Sequence, residues 1–427
     1  MITKGSLRTG VIWNMASLVI LAISGALLNV LIAAKYDAST LGVFNQVLSV
    51  YVFASCFAVG GISISTLKLI AEKSDSNRIH EIAISAILLT TFFSLCTTIL
   101  FWTLRSPISS LLDSPGVYVG LTWITPGLFC FALNKTLLAI VNGLHHMRAF
   151  AVFQSLRYFN LLVGFFIAVA ISFPGERLAY VFSFSEIILL FVLLIYLRKF
   201  FVWNKTLSIK QWFPVHFSFG VKSFLSGALL ELNLKADVLI LGYYSSDLTA
   251  GVYSFAAMVF EGLYQFFVVL QNNYNPILSK LLHERNHKIF IATFQSGHAL
   301  VHKYARAIAP FLVALYPLGL RILFPNQPEF EESWLPFSIL VLGLLISSGY
   351  LPFQNLLVMA GLPAWHSVYM FLILSINILG NIILVPRLGM VGSALGTSFS
   401  LLLGCILLIF MSKKCLRLGL HSKTLAE

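Results

Sequence analysis

Twelve stretches of predominantly apolar residues follow one another along the chain, near residues 10–34, 40–70, 80–104, 118–141, 150–172, 177–198, 216–241, 249–279, 298–324, 333–359, 365–385 and 389–411. A helix that crosses a bilayer needs about 20 mostly apolar residues, so each stretch is long enough to span. Of the 427 residues 58% are hydrophobic and 10% are charged, against roughly 25% charged in a soluble domain. A water-soluble fold is thereby excluded, and little chain remains for an extramembrane domain. The first stretch is too long for a signal-peptide core and no small-residue cleavage pattern follows it, so it is expected to be kept as a helix. Cys56, Cys96, Cys130, Cys405 and Cys415 lie mostly inside the apolar runs without metal-ligand spacing. They read as small core hydrophobes, and neither a cofactor nor a metal is implied.

The net charge of +12 would raise nucleic acid as a partner in a soluble protein, but in a membrane protein the position of each charge matters more than the sum. Lys4, Arg8, Lys68, Lys73, Arg78, Arg148, Arg198, Lys199, Lys205, Lys210, Lys280, Arg285, Lys288, Lys413, Lys414, Arg417 and Lys423 fall in one alternating set of loops and tails. The other set holds Lys35, Arg105, Arg177, Arg321 and Arg387, with the acidic cluster Glu329, Glu331 and Glu332. Both termini are therefore expected on the cytoplasmic side, with no nucleic acid involved.

The chain also repeats itself. Tyr36-Asp37-Ala38-Ser39-Thr40-Leu41-Gly42-Val43-Phe44 has a counterpart in Ser245-Ser246-Asp247-Leu248-Thr249-Ala250-Gly251-Val252-Tyr253. Arg177-Leu178, Val181 and Ser183 match Arg387-Leu388, Val391 and Ser393, and Gly143-Leu144 matches Gly361-Leu362. The matches keep their order at a nearly constant offset, which points to duplication. Six spans per copy start both copies on the same side, so the copies should be related by an axis along the membrane normal. The expected fold is all-α and integral to the membrane, with about twelve transmembrane helices. These form two six-helix bundles, 1–200 and 215–427, related by a pseudo-twofold and joined by a cytoplasmic linker over 201–214. Such proteins hold substrate between the halves, in a cavity expected to be lined by spans 1, 2, 7 and 8, and rock to alternate its exposure.

Further features carry a resemblance. The basic start Lys4-Gly5-Ser6-Leu7-Arg8-Thr9-Gly10 leads to Asn14, and the first turn reads Leu41-Gly42-Val43-Phe44. The seventh span runs from Lys222-Ser223-Phe224-Leu225 through Asp237-Val238-Leu239-Ile240-Leu241-Gly242-Tyr243-Tyr244 to Gly251-Val252-Tyr253. With the twelve-span layout these resemble the O-antigen flippase (Wzx-type) branch of the multidrug/oligosaccharidyl-lipid/polysaccharide exporter superfamily, over essentially the whole chain. The resemblance implies a MATE-like fold in a bacterial inner membrane. It also implies transfer of undecaprenyl-diphosphate-linked oligosaccharide, an O-antigen or related polysaccharide repeat unit, from the cytoplasmic to the periplasmic leaflet, without enzymatic chemistry. Membrane lipid, a coupling H⁺ or Na⁺ and polysaccharide assembly proteins are the partners it allows.

An ionisable group at bilayer depth costs roughly 2.5 to 3.5 kcal/mol on insertion scales and is by default a functional candidate. Such positions are Lys135, Arg157, Glu186, Lys222, Glu231, Lys235, Asp237, Glu261, Lys303 and Arg306. At 100° per residue Lys222, Ser226, Asn233 and Asp237 form one polar stripe on span 7 that should face a cavity. Glu231 and Lys235, at i and i+4 in the favourable order, suit an intrahelical ion pair. Asp237, near a recurring aspartate of the family, is expected with Glu231 and Glu261 at the coupling-ion site, and its partner must come from another helix. Lys222 is expected to bind the substrate diphosphate in a cavity that is net cationic toward the cytoplasm, with Arg306, Lys135 and Arg157 beside it. Asn14, Asn233 and Gln271 offer the paired donors and acceptors that sugar hydroxyls need, although interhelical hydrogen bonding explains such residues equally well. His298, His302 and Arg306 form a strip that could equally be an interfacial turn, and Lys135 and Arg157 could snorkel instead. Pro126, Pro310, Pro317, Pro336 and Pro352 are expected to kink their spans.

Two alternatives stay open. A cation-coupled multidrug extruder of the same superfamily shares the layout but usually carries a membrane-embedded carboxylate in span 1, where this chain has none. A membrane polysaccharide polymerase or a polyprenyl-sugar-dependent glycosyltransferase would show large outer loops or an acidic pair in the first outer loop, and neither is present.

Overall fold

A computed structural model describes residues 4–72, 76–198, 200, 209–284 and 286–416; side chains at 4–12, 14–16, 18, 19, 22, 76, 221–223, 225–227 and 230 lie outside the description. All regular structure among the described residues is helical. The elements are α1 (Lys4–Lys35), α2 (Ala38–Val59), α3 (Ile62–Ala71), α4 (Ser76–Leu111), α5 (Pro115–Gly143), α6 (Met147–Ala170) and α7 (Tyr180–Leu197). They continue as α8 (Trp212–Tyr244), α9 (Asp247–His283), α10 (His287–Leu323), α11 (Trp334–Ser347), α12 (Leu356–Met359) and α13 (Pro363–Leu416).

Among the described residues nine helical segments are long and apolar enough to cross a membrane. One of them, α13, is two helices joined where Gly389 leaves helical geometry at φ 53° and ψ −130°. With α1 and α8 the segments give the twelve spans expected.

Starts and breaks follow local chemistry. The Asp37 carboxylate accepts from the Thr40 amide at 2.6 Å at the head of α2, and Ser114, Ser246 and Asn286 cap α5, α9 and α10 in the same way, each satisfying an amide that the helix leaves unpaired. The second span is interrupted at Gly60 and Gly61, both at positive φ, a conformation that glycine adopts without a Cβ penalty. The prolines expected to kink their spans stand in different settings. α5 continues through Pro126 and α10 through Pro310 and Pro317, while Pro336 sits in the first turn of α11, where the missing N–H has no helical partner to lose. Pro352 does mark a break, in a 3-10 turn at Leu351–Phe353.

The chain divides into two compact units. Unit 1 comprises Met1–Tyr36 and Val43–Glu231, and unit 2 comprises Asp37–Gly42 and Leu232–Glu427. The core of unit 1 gathers Ile70, Ile82, Leu137, Val141, Leu189 and Leu193 from α3, α4, α5 and α7. That of unit 2 gathers Leu241, Tyr253, Leu340, Leu351 and Ala394. Within unit 2 the two copies of the repeated motif touch. A Cβ on Gly251 would stand 1.7 Å from the Ala38 carbonyl oxygen, and one on Gly42 would stand 1.9 Å from that of Asp247. The glycine shared by both copies is thus the residue that lets the first turn of α2 and that of α9 approach backbone to backbone.

Candidate functional site

Unit 1 encloses a cavity of about 410 Å³. Phe131 and Lys135 of α5 are one turn apart and point into it together, as do Phe182 and Glu186 of α7, because residues at i and i+4 share a helix face. Arg157 and Tyr158 enter from α6, Tyr51 from α2, and Phe224 and Glu231 from α8. Tyr51 meets Phe131 edge-on and stacks on Phe182, at centroid separations of 5.7 and 5.8 Å.

A buried ion pair stands in this wall. Arg157 Nε lies 2.7 Å from Glu186 Oε1, and Arg157 Nη2 donates to Oε2 at 3.2 Å. Asn134 Nδ2 donates to the same Oε2 and to the Glu186 carbonyl, both at 2.8 Å. The Ser185 hydroxyl donates to the Arg157 carbonyl at 2.6 Å, tying α7 to α6. The guanidinium is therefore held against the carboxylate by one hydrogen bond from Nη2 and the close approach of Nε, and Oε2 also accepts from Asn134. Lys135 and Glu231 differ: both are exposed to the cavity, and neither has an ion-pair partner among the described residues. The Lys135 ammonium rests 5.3 Å from the Phe131 ring centre.

The intrahelical pair expected between Glu231 and Lys235 is not formed. Lys235 instead reaches α9, where its ammonium donates to both carboxylate oxygens of Glu261 at 2.8 and 3.1 Å. An interhelical carboxylate that presents both oxygens outcompetes a same-helix partner that must bend along the surface, and it leaves Glu231 facing the cavity. The expectation of a cationic wall rested first on Lys222, whose side chain lies outside the described residues. Among the described residues Lys135 and Arg157 are matched by Glu186 and Glu231, so the wall is formally neutral.

Unit 2 carries a polar network with few charges. Asp237 on α8, 6% exposed, accepts from the Tyr253 hydroxyl of α9 at 2.8 Å, so its partner does come from another helix. Asn233, one turn earlier, accepts from Asn377 Nδ2 at 3.2 Å. Asn377 in turn accepts from Asn381 at 2.6 Å, and Asn381 accepts from the Ser393 hydroxyl at 2.8 Å. The chain of bonds joins α8 to both limbs of α13. A separate apolar groove of about 560 Å³ lies between α9, α10 and α11, lined by residues such as Phe266, Leu270, Tyr304 and Ile308.

The remaining sequence candidates are dispersed. Gln271 is buried on α9. Arg306 is exposed on α10 and lines neither cavity. His302 shares a hydrogen bond of 2.9 Å with Ser348, and His298 packs edge-on against Tyr350 at 4.6 Å, so part of the basic strip serves to dock α10 on the segment after α11. The side chains of Asn14 and Lys222 lie outside the described residues. Sequence reasoning named Glu186 as a charge at depth without assigning it a partner, and it missed Asn134, Tyr51 and Tyr158. It also missed the buried His216 of α8, which shares a hydrogen bond of 2.7 Å with the Ser65 hydroxyl. The acid's isolation in an apolar span was the available signal; nothing local marks the neutral residues.

A family model described as polysaccharide biosynthesis protein matches residues 7–282, well over half of the chain. No curated protein matches. Among solved structures, an inward-facing multidrug resistance MATE family transporter of the MOP superfamily superposes with a TM-score of 0.81 at 12% identity, over 94% of this chain and 96% of the other. The lipid II flippase MurJ in an inward closed conformation gives 0.74 at 17% identity, over 94% and 87%. A MOP superfamily transporter from Pyrococcus furiosus, described by the reverse polarity of its binding pocket, gives 0.62 at 14% identity, over 98% and 96%. At these identities the likeness is one of fold: a MATE-like multi-pass membrane fold.

Proposed function

The chain belongs to the polysaccharide biosynthesis protein family, and from that premise we propose that it is a flippase for lipid-linked oligosaccharide. The substrate in this reading is an undecaprenyl-diphosphate-linked O-antigen or related repeat unit, carried from the cytoplasmic to the periplasmic leaflet of a bacterial inner membrane. Both termini are cytoplasmic, and the duplicated halves 1–200 and 215–427 alternate access, as in proteins built from repeats. The observation that carries the reading is the unit-1 cavity. It sets aromatic faces beside an unpaired ammonium and an unpaired carboxylate in helices that cross the membrane, where each charge is costly and held for function.

Asp237 is the coupling site in this proposal. It is buried and bonded by a neutral hydroxyl, with no cation in ion-pairing distance among the described residues, so its charge is balanced by a proton or a cation that comes and goes. A site of this kind biases two states only if it binds differently in each. Glu261, engaged by Lys235, is secondary, and Glu231 belongs to the cavity. The exposed Glu231 also supports a second reading, drug extrusion like that for which the multidrug resistance MATE family transporter is named, with a cationic drug set against the carboxylate.

Reconstitution into vesicles with fluorescent lipid-linked oligosaccharide, with and without imposed H⁺ or Na⁺ gradients, separates these readings. Leaflet transfer that accelerates with a gradient is expected. Export of a cationic dye without oligosaccharide transfer would overturn the proposal.

A further inference from the structure

The formal neutrality of the cavity wall among the described residues bears on which part of a lipid-linked saccharide it can hold. A diphosphate is matched best by free guanidinium forks and ammonium groups. Arg157 is not free, since its Nε and Nη2 both face Glu186, and a diphosphate seated on Lys135 would share the cavity with the carboxylates of Glu186 and Glu231. A sugar fits better. A pyranose ring offers C–H faces to Tyr51, Phe131 and Phe182, and hydroxyls at its rim to whatever donors and acceptors remain. The volume of about 410 Å³ is within the range of sites that enclose a small ligand.

A neutral sugar, however, would displace water from Lys135 and Glu231, whose opposite charges balance in sum but form no salt bridge with each other among the described residues, and a desolvated charge without a direct partner is costly. The ligand that offsets both carries the complementary charges. We propose that the unit-1 cavity is the saccharide subsite and that it takes a sugar unit bearing one carboxylate, set against Lys135, and one free amino group, set against Glu231. This rests on the flippase reading and narrows its substrate to a zwitterionic repeat unit, with the diphosphate held outside this cavity.

The test uses the full-length purified chain and calorimetric titration with soluble probes. These are a disaccharide of a uronic acid and an amino sugar, the same compound N-acetylated, the same compound as its methyl ester, a neutral disaccharide, and inorganic pyrophosphate as competitor. The zwitterionic disaccharide should bind, and acetylation or esterification should each weaken binding at least tenfold. Lys135→Gln should erase the penalty for esterification and keep that for acetylation, and Glu231→Gln should do the reverse; both variants should melt within a few degrees of the parent. Equal binding of the neutral disaccharide, or competition by pyrophosphate that disappears in Lys135→Gln, would overturn the subsite assignment and leave the flippase reading standing. If no saccharide binds while a lipophilic cation does, and Glu231→Gln abolishes it, the flippase reading falls as well.

Discussion

Two carboxylates are buried to nearly the same degree in the two units, Glu186 at 3% exposure and Asp237 at 6%, and the protein satisfies them in opposite ways. Glu186 receives a guanidinium and an amide. Asp237 receives a tyrosine hydroxyl and the amide of Val238 at 2.8 Å. The first is a closed pair whose charge is balanced permanently. The second has, among the described residues, only neutral donors, which can bond the carboxylate without cancelling its charge. A buried acid with its own cation is a structural element beside a cavity; a buried acid without one has room for a proton or cation to act. Burial alone would have ranked the two residues as equivalent.

The largest expected effect tests the closed pair. Arg157→Ala leaves Glu186 as an uncompensated buried charge and should cost about 3 to 5 kcal/mol, whereas removing both charges, as Arg157→Met with Glu186→Leu, should recover most of that loss. Thermal unfolding in detergent reads both, and a single variant as stable as the parent would mean that the pair is not closed. Next comes Tyr253→Phe, which removes the hydroxyl from Asp237 and should cost about 1 to 3 kcal/mol, the desolvation of a polar group left with a bond unmade. The companion Asp237→Asn keeps an oxygen for Tyr253, so it should remain folded and bind substrate. Its flipping should no longer respond to the ion gradient, and an unchanged response would remove the contrast between the two acids.

Smaller still is Asn377→Leu in the unit-2 network. Interhelical hydrogen bonds between transmembrane helices average about 0.6 kcal/mol, so the melting temperature should fall only slightly. A large loss would show that the network is tighter than its neutral composition suggests. The smallest stability effect belongs to Lys135→Gln, within about 0.5 kcal/mol because no salt bridge is broken. Transfer of lipid-linked oligosaccharide in vesicles should nevertheless fall at least tenfold. That dissociation of stability from transport is the outcome that sets Lys135 apart from Arg157, one cavity wall away.

Much of the architecture was legible in the residues. Hydropathy marked the spans, and the repeated glycine motif stood out in the sequence, although its physical use, the contact of Gly42 with the α9 backbone, could not be read from a linear match. The second span looked continuous because Gly60 and Gly61 sit in an apolar run without a polar break; only their positive φ angles divide it. For the site, the charges at depth were visible and their partners were not. Glu231 and Lys235 looked paired because spacing along one helix is the only proximity a sequence displays.

The sequence by itself determined that this chain is a multi-span helical membrane protein, since that property resides in runs of about 20 contiguous residues that the bilayer requires to be apolar. The tertiary structure alone decided which charges meet. Arg157 finds Glu186 at a separation of 29 residues and Lys235 finds Glu261 at 26. Such pairings depend on how each helix is rotated about its axis, and that rotation is set by side-chain packing against neighbouring helices, to which the whole fold contributes and no local segment encodes.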